Sequence, residues 1–485
     1  MMSMNEVLQL AALLAVGAFS TEKGLGALPA DSASPAVPVN IEQAYLECGC
    51  FPENIQQPTS NAQHPLTAKR AAVGCSKSDV RCWMFPFPLH PKREGRGGKR
   101  DIRNAHRMRP CRRSPPDAST STPPQRTDVF ISGQGGYHTY RIPALIVTSK
   151  ATLLAFCEGR KNSASDTGNI DLLLKRSTDG GKTWSEPQVV WDDGPNTCGN
   201  PCPVVDETTG TLWLLLTHNP GDTEEARIMK GQPGGTRTVW LSRSTDDGKT
   251  WTPPVDITAS AKDPSWRWYA TGPGVGIQIQ HGPHRGRLVV PCDHSCKVAG
   301  SDPDRPATET GSHVIYSDDH GQTWKLGGWI RPQMDESQVI ELADGEGGLL
   351  LNMRNTAKAN LRAQSISHDG AQTWTAPEFP PELVEARCQA SLLRYNWPDG
   401  QEPGRLLFSN PANPRRRDLT VRVSRDDGKT WPVSRMLHEG PTAYSCLTVL
   451  PDKSVGCLYE CGSKNPYEKI SFACFPLAWI ERGNY

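Results

Sequence analysis

The sequence lacks both a strong net charge and a long apolar run. Its 485 residues carry 53 Lys and Arg against 52 Asp and Glu, so the chain as a whole is not the strongly basic type that binds nucleic acid. The longest apolar stretch, LQLAALLAVGAF at 8–19, falls short of the roughly 20 residues that a bilayer-spanning helix needs. No long helical periodicity is present either, so a helical bundle is not expected.

The first 20 residues contain this apolar stretch and resemble the hydrophobic region of a secretory signal. The preceding MMSMNEV, however, has no Lys or Arg and one Glu, which is atypical of such signals. We expect a possible signal-like segment at 1–20. The sequence therefore slightly favours a secreted, periplasmic or lysosome- or membrane-associated protein over a cytoplasmic one.

Residues 21–125 differ in composition from the rest of the chain. The stretch SPPDASTSTPPQ is rich in Pro, Ser and Thr, and KREGRGGKRDIRNAHRMRPCRR at 92–113 is strongly basic. Such a segment offers too little apolar surface to fold alone, and we predict a disordered, solvated linker. A tether to nucleic acid or to a membrane surface is the alternative.

The cysteines do not follow a zinc-site pattern. There are 15, an odd number, and Cys198/Cys202 and Cys292/Cys296 have Cys-x3-Cys spacing. No two pairs share the Cys-x2-Cys form of a zinc ribbon, so no metal is expected and most cysteines are interpreted as buried free thiols.

What the chain has instead is a repeated octapeptide of the form Ser-x-Asp-x-Gly-x-Thr-Trp, among 44 Gly, 42 Pro and 14 Trp. Each copy follows a short run of alternating apolar residues, which predicts a strand, a tight turn and a second strand. In one copy Ala371 replaces the Gly that takes positive φ, so a distorted turn is expected there. The five copies occupy 177–184, 244–251, 317–324, 367–374 and 424–431.

The spacing of the copies predicts an all-β fold. Units of this length, with four short strands each, are typical of propeller blades. Residues 126–485 would accommodate six of them, so we predict a six-bladed β-propeller preceded by a largely disordered segment. Five near-identical turns are interpreted as scaffold, and the chemistry is expected in unrepeated segments.

Those unrepeated segments carry a resemblance to a known family. An Arg-Ile-Pro element at 141–143, Glu-Ser-Gln-Val at 336–339, and Ala-Tyr-Ser followed by Cys-Leu-Tyr-Glu at 457–460 accompany the octapeptides. In this combination the chain resembles the sialidase (neuraminidase) superfamily over about 126–485. That family's fold is a six-bladed β-propeller, so residues 126–485 would be the catalytic domain.

The resemblance also implies a role for individual residues. Every role is transferred by motif position. The set comprises Arg141, Arg354 and Arg416 as an arginine triad, Arg160 as an additional pocket arginine, Asp166 as acid/base, Tyr444 as nucleophile, Glu336 as its partner, and Glu460 as the carboxylate that orients Arg141.

Several of these positions have alternatives. An arginine is most often a surface residue, and Tyr444 could instead be a core aromatic. The rivals are Arg415, Arg417 and Arg422 for Arg416, Asp335 for Glu336, and Asp171 for Asp166, while Trp268 and Tyr269 are candidates for the pocket wall and Glu224 and Glu225 for its rim.

The chemistry explains why such residue types would be needed. Sialic acid carries a carboxylate on the carbon that undergoes substitution, and guanidinium groups bind carboxylates through two parallel hydrogen bonds. A carboxylate nucleophile would be repelled by that charge, whereas a neutral phenol is not, and sialidases are a recognised exception to two-carboxylate glycosidases.

The sequence therefore predicts a retaining exo-α-sialidase that acts without a cofactor on glycoproteins, glycolipids such as gangliosides, or oligosaccharides. The alternatives are a sialic-acid-binding lectin and a trans-sialidase. Sialylated glycoconjugates are the expected partners. Nucleic acid is not expected for the catalytic domain, and membrane contact is expected only through a glycolipid substrate or the basic N-terminal segment.

Overall fold

The computed structural model describes residues 123–482 apart from 233–234, 299, 302–306 and 359. The predictions for residues 1–20 and 21–122 lie outside this range. The first strand begins at Gln125, one residue before the predicted domain boundary.

The regular secondary structure of the described chain consists mainly of strands, as the alternating apolar runs predict. In its first half the strands are β1 Gln125–Ile131, β2 Thr139–Val147, β3 Leu153–Arg160, β4 Ile170–Ser177, β5 Gln188–Trp191, β6 Thr197–Val205, β7 Leu212–Asn219, β8 Thr238–Ser244, β9 Val255–Asp256, β10 Trp266–Thr271, β11 Ile277–Gln278 and β12 Leu288–Lys297. In its second half they are β13 Thr308–Ser317, β14 Lys325–Ile330, β15 Met334–Glu341, β16 Leu349–Asn355, β17 Ala363–Ser367, β18 Ser391–Asn396, β19 Arg405–Pro411, β20 Arg417–Ser424, β21 Val433–Val449, β22 Ser454–Cys461 and β23 Lys469–Pro476.

The helices of the described residues are short. They are α1 Glu225–Met229, α2 Thr258–Ala261 and α3 Leu477–Glu481. In the part of the chain that the structure describes, no helix combines the length and the apolar character that a bilayer crossing requires.

The strands pair mostly with their neighbours in sequence, antiparallel, in four hydrogen-bonded sheets. The orders are β2-β3-β4-β6-β7-β8-β9 with β5 on β4, β10-β12-β13-β14 with β11 on β12, β15-β16-β17, and β1-β23-β22-β21-β20-β19-β18. The first described strand thus pairs with the last one, which joins the two ends of the fold. The long strand β21 pairs with β20 through its first half and with β22 through its second half.

The octapeptides form the tight turns that their composition predicts. In the first copy, Asp179 accepts hydrogen bonds from the backbone and hydroxyl of Thr183 at 3.0 and 2.6 Å, and Ser177 Oγ accepts one from Gly181 N at 2.9 Å. Trp184 then packs edge-on against Phe472 of another sheet, at 5.5 Å between ring centroids. The repeat therefore closes a hairpin and fixes it to its neighbour.

The copy with Ala371 differs from the expectation of a distorted turn. Ala371 adopts φ +76°, and its N–H still bonds to Ser367 Oγ at 2.9 Å. Asp369 also accepts from Thr373 N at 2.9 Å, as in the other copies. The prediction was wrong because the carboxylate and hydroxyl anchors hold the turn in shape even where the left-handed position carries a Cβ.

The core consists of several apolar clusters between the strands, and most thiols lie within them. The ten cysteines of the described residues are free, and nine of them are buried. Cys202, Cys292 and Cys296 belong to one cluster with Trp213, while Cys198 lies in another. The Cys-x3-Cys pairs are therefore small hydrophobic core residues, as predicted.

Candidate active site

Three of the candidate residues lie at irregularities in strand pairing. The register shifts between Arg141 and Ala144 in β2, within β15 around Glu336, and within β21 around Tyr444. In β2 the cause is local, since Pro143 has no N–H to donate and Ile142 adopts φ +62°. Such bulges turn a side chain out of the regular alternation, and here they direct three side chains into one cavity.

Tyr444 and Glu336 form a directly hydrogen-bonded pair inside this cavity. The Tyr444 hydroxyl donates to Glu336 Oε1, and Arg354 Nη1 lies 2.8 Å from Glu336 Oε2 and 3.4 Å from the Tyr444 oxygen. Burial, followed by the adjacent Glu336 carboxylate, raises the pKa of Tyr444 well above its usual value, so the phenol is neutral. Glu336 is thus in position to accept the phenolic proton.

Asp335, the rival of Glu336, has a different contact. Its carboxylate lies 3.2 Å from Arg354 Nε, so Arg354 is held by two successive acidic residues. The hydrogen bond from Tyr444 goes to Glu336, which favours Glu336 as the partner.

Glu460 holds two other site residues from behind the cavity. It is fully buried and accepts from Arg141 Nε at 2.7 Å, from Ile142 N at 2.9 Å and from Tyr444 N at 3.1 Å. One carboxylate therefore fixes both the guanidinium of Arg141 and the backbone at Tyr444.

Arg416 lines the cavity, and its three rivals do not. Its Nη1 donates to the Tyr467 hydroxyl at 2.7 Å, and its Nη2 to the Arg387 carbonyl at 3.0 Å. The guanidinium carbons of Arg141 and Arg416 lie 5.0 and 5.4 Å from the centroid of the Tyr444 ring. Of the rivals, Arg415 and Arg417 are exposed and Arg422 bonds to Asn410.

Asp166 and Arg160 lie beside Arg141 in the cavity lining. Asp166 Oδ1 lies 2.7 Å from Arg160 Nη2 and 3.8 Å from Arg141 Nη1, and its side chain is 53% exposed. Its rival Asp171 is buried, accepts from the Tyr137 hydroxyl at 2.6 Å and pairs with Lys161, outside the cavity lining. The position of Asp166 at the solvent side suits a group that exchanges protons.

The structure thus brings seven predicted residues to one cavity wall, with Glu460 directly behind them. The cavity holds about 150 Å³ and also includes residues that sequence reasoning missed or gave little weight. Of the two candidate wall residues, Trp268 lines the cavity, whereas Tyr269 is buried and its hydroxyl donates to the Ala261 carbonyl. The further lining residues are Ile142, Glu158, Asn200, Glu225, Arg237, Ala270, Asp293 and Asp335.

Glu158, one of the residues that sequence reasoning missed, has a clear structural role beside Arg160. Glu158 is buried, pairs with Arg160 at 2.6 Å and accepts from Asn200 N at 2.9 Å. The alternation in CEGR, with Glu158 and Arg160 on the same face of β3, is the sequence signal that could have identified this pair.

Comparisons with known proteins agree with this geometry. Residues 151–457 match the family described as BNR repeat-like domain. The class defined by fold and comparison is therefore an all-β propeller of the sialidase type. The number of six blades stays a prediction.

The relatives are more specific. The chain is 36% identical to a sialidase of Micromonospora viridifaciens, over 73% of this chain and 54% of that protein. It is 31% identical to an exo-alpha-sialidase of Arthroderma benhamiae, over 73% of this chain and 87% of the relative. Among solved structures, the Hadza microbial sialidase Hz136 is 34% identical with a TM-score of 0.63, covering 73% of this chain and 69% of that one.

The chain belongs to the sialidase family. It spans 54% of the Micromonospora relative and 61% of a Bacteroides fragilis sialidase, so parts of those longer proteins have no counterpart in the match.

Proposed function

We propose that the protein is a retaining exo-α-sialidase that hydrolyses terminal α-linked sialic acid, with residues 126–485 as its catalytic domain. The observation that carries this proposal is the Tyr444–Glu336 hydrogen bond inside a group of arginines. Glycoproteins, glycolipids and oligosaccharides that end in sialic acid are the proposed substrates.

The arginine triad would bind the substrate's carboxylate. Arg141, Arg354 and Arg416 all line the cavity, and each is held by contacts that fix its guanidinium plane. Planar guanidinium groups form paired, charge-assisted hydrogen bonds with a carboxylate, which orients the sugar as well as attracting it. The carbon that bears the carboxylate is the reacting anomeric carbon, so fixing this group also positions the reaction centre.

Tyr444 would act as the nucleophile of the first step. Its oxygen forms a bond to the anomeric carbon while the glycosidic bond breaks, and the phenolic proton passes to Glu336. Asp166 gives a proton to the departing oxygen. The neutral phenol avoids the repulsion that a carboxylate nucleophile would meet next to the substrate's own carboxylate.

The second step reverses these proton transfers. Asp166 takes a proton from water, the water oxygen bonds to the anomeric carbon, and the Tyr444 oxygen leaves and regains its proton from Glu336. Two inversions at one carbon give net retention.

Asp166 must be protonated when the first bond breaks, and its surroundings bear on this. Partial burial raises the pKa of its carboxyl, but the charges of Arg160 and Arg141 outweigh burial and hold the pKa below its usual value. A substrate carboxylate bound to Arg141 would neutralise part of that positive charge, so the pKa of Asp166 would rise on binding. Binding itself would then prepare the acid.

The pairing pattern supports the proposal of six blades. Each blade would take four successive strands or bridged segments. The groups are β2–β5, β6–β9, β10 with β12–β14, β15–β17 with the bridge Gln364–Glu378, β18–β20 with the first half of β21, and the second half of β21 with β22, β23 and β1.

A fluorogenic 2-α-sialoside tests the function directly. The purified protein should release the fluorophore, and Tyr444→Phe should lower kcat by orders of magnitude. Tyr395→Phe is the matched control, because its hydroxyl donates to the Lys453 carbonyl away from the cavity. Full activity of Tyr444→Phe would remove this residue from the mechanism. Binding of sialosides without turnover by the unaltered protein would favour the lectin alternative, and sialyl transfer to added lactose would favour the transferase.

A further inference from the structure

Tyr467, in the turn between β22 and β23, contacts two of the three arginines of the triad. Its hydroxyl accepts a hydrogen bond from Arg416 Nη1 at 2.7 Å. Its ring faces Arg141, whose guanidinium carbon lies 4.2 Å from the centroid of the Tyr467 ring and 5.0 Å from that of Tyr444. The face of an aromatic ring attracts a cation, so both contacts of Tyr467 are favourable. One half-buried side chain therefore connects Arg141 to Arg416.

The two arginines differ in how they are held, and this gives Tyr467 most weight at Arg416. Arg141 has a charged partner, since its Nε donates to Glu460 at 2.7 Å. The hydrogen-bond partners of Arg416, by contrast, are both neutral: the Tyr467 hydroxyl and, at 3.0 Å, the Arg387 carbonyl. A neutral acceptor fixes a guanidinium without neutralising its charge, so that the charge of Arg416 is available to an anionic ligand.

The turn that carries Tyr467 is closed by its own side chains. The Glu468 carboxylate accepts hydrogen bonds from the three consecutive backbone N–H groups of 463–465, at 2.9, 2.7 and 3.1 Å. Asn465 Oδ1 accepts from Tyr467 N at 2.8 Å, and Ser132 Oγ donates to the Tyr467 carbonyl at 2.7 Å. The backbone on both sides of Tyr467 is thus fixed before any ligand binds, and its side chain is a preorganised support for the two arginines.

We propose that Tyr467 is a positioning residue, which sets the mutual arrangement of Arg141 and Arg416 and thereby the affinity for the substrate's carboxylate. The inference rests on the proposed function. Tyr467 is not among the residues that line the cavity, so it acts through the two arginines rather than by touching the sugar. Paired hydrogen bonds between a guanidinium and a carboxylate need aligned planes, and losing the alignment weakens binding. Because the carboxylate is bound before and during the reaction, the effect falls on KM and not on kcat.

The test separates the two contacts of Tyr467 by steady-state kinetics on an umbelliferyl α-sialoside. Tyr467→Phe keeps the ring on Arg141 and removes the acceptor for Arg416. It should raise KM by about fivefold, the equivalent of one hydrogen bond, and leave kcat within about twofold of the unaltered protein. Tyr467→Leu removes both contacts and should raise KM by a further factor of about three or more, because the cation on Arg141 also loses its aromatic partner.

A double-mutant cycle shows whether the hydroxyl acts through Arg416. In an Arg416→Lys background the planar guanidinium is absent, so adding Tyr467→Phe should raise KM by less than about twofold, whereas independent effects would multiply. Tyr316→Phe is the matched control. The ring of Tyr316 also faces a guanidinium, that of Arg287 at 4.1 Å, and neither residue lines the cavity, so this variant should leave KM unchanged.

The outcomes separate the inference from the proposed function. An unchanged KM in Tyr467→Phe would overturn the assignment and leave the sialidase activity standing, as would a lower kcat at unchanged KM or a full fivefold effect in the Arg416→Lys background. The Phe variant is decisive even where Tyr467→Leu fails to fold, because it retains the ring. If the unaltered protein does not cleave the sialoside, the proposed function itself fails and this inference fails with it.

Discussion

Glu460 gives the clearest quantitative prediction, because one buried carboxylate serves three donors. Glu460→Gln keeps the size of the side chain, but its NH2 group must face at least one of the N–H groups of Arg141, Ile142 and Tyr444. A buried donor left unpaired costs about 1–3 kcal/mol. The buried Arg141 also loses its countercharge, and breaking a buried ion pair costs about 3–5 kcal/mol.

These two costs overlap, so we expect the free energy of unfolding to fall by about 3–5 kcal/mol in total. Urea unfolding followed by tryptophan fluorescence measures this change. We also expect kcat/KM for a fluorogenic sialoside to fall by about 100-fold or more, since small displacements of reacting groups have effects of this size.

Glu385→Gln is the matched comparison for this variant. Glu385 is fully buried and pairs at 3.0 Å with Arg362, which does not line the cavity. A similar loss of stability is expected, with a smaller loss of kcat/KM. One ordinary hydrogen bond contributes about 1 kcal/mol net. If the free energy of unfolding of Glu460→Gln differs from that of the unaltered protein by less than about 1 kcal/mol, the reasoning is refuted.

Three other variants test separate parts of the account. Arg416→Lys removes the planar guanidinium and should raise KM by about tenfold or more, because a paired, charged hydrogen bond to the substrate is lost. Arg417→Lys, at the exposed neighbouring position, should change KM little. Steady-state kinetics measures both variants, and equal effects would argue against a binding role for Arg416. Arg160→Gln removes a charge that lowers the pKa of Asp166, so that pKa should rise and the alkaline limb of kcat/KM should shift to higher pH; an unchanged profile contradicts the role of Asp166 as the acid. Asp426→Ala removes the anchor of one octapeptide turn and should cost about 1–2 kcal/mol in urea unfolding at unchanged kcat/KM; lost activity in a folded protein would show that this turn is more than scaffold.

Much of the fold could be predicted from the repeats. The Ser, Asp, Gly, Thr and Trp of each octapeptide act locally, so the hairpins follow from the turn chemistry alone. The same local reasoning failed at Ala371, because three side-chain hydrogen bonds outweigh the residue's preference for negative φ.

The residues of the site could be predicted from the sequence only where they belong to recognisable motifs. Arg141, Glu336 and Tyr444 stand in recognisable motifs, and Pro143 already indicates an irregular strand. Residues such as Arg237 and Asp293 have no local signal. Arg237 immediately precedes an ordinary strand, and Asp293 follows an apolar run. Both line the same cavity although 56 positions of sequence separate residue 237 from residue 293, and only the folded chain reveals this.

The central claim is that Tyr444 forms a covalent bond to the sugar, so that the reaction proceeds with two inversions. Proton NMR of a fresh digest of an α-sialoside tests this most directly, because the anomer released first can be seen before it equilibrates in water. The account predicts that the α anomer of free sialic acid appears first and then converts to the β anomer. Initial release of the β anomer would mean a single inversion by water, and would contradict the role given to Tyr444.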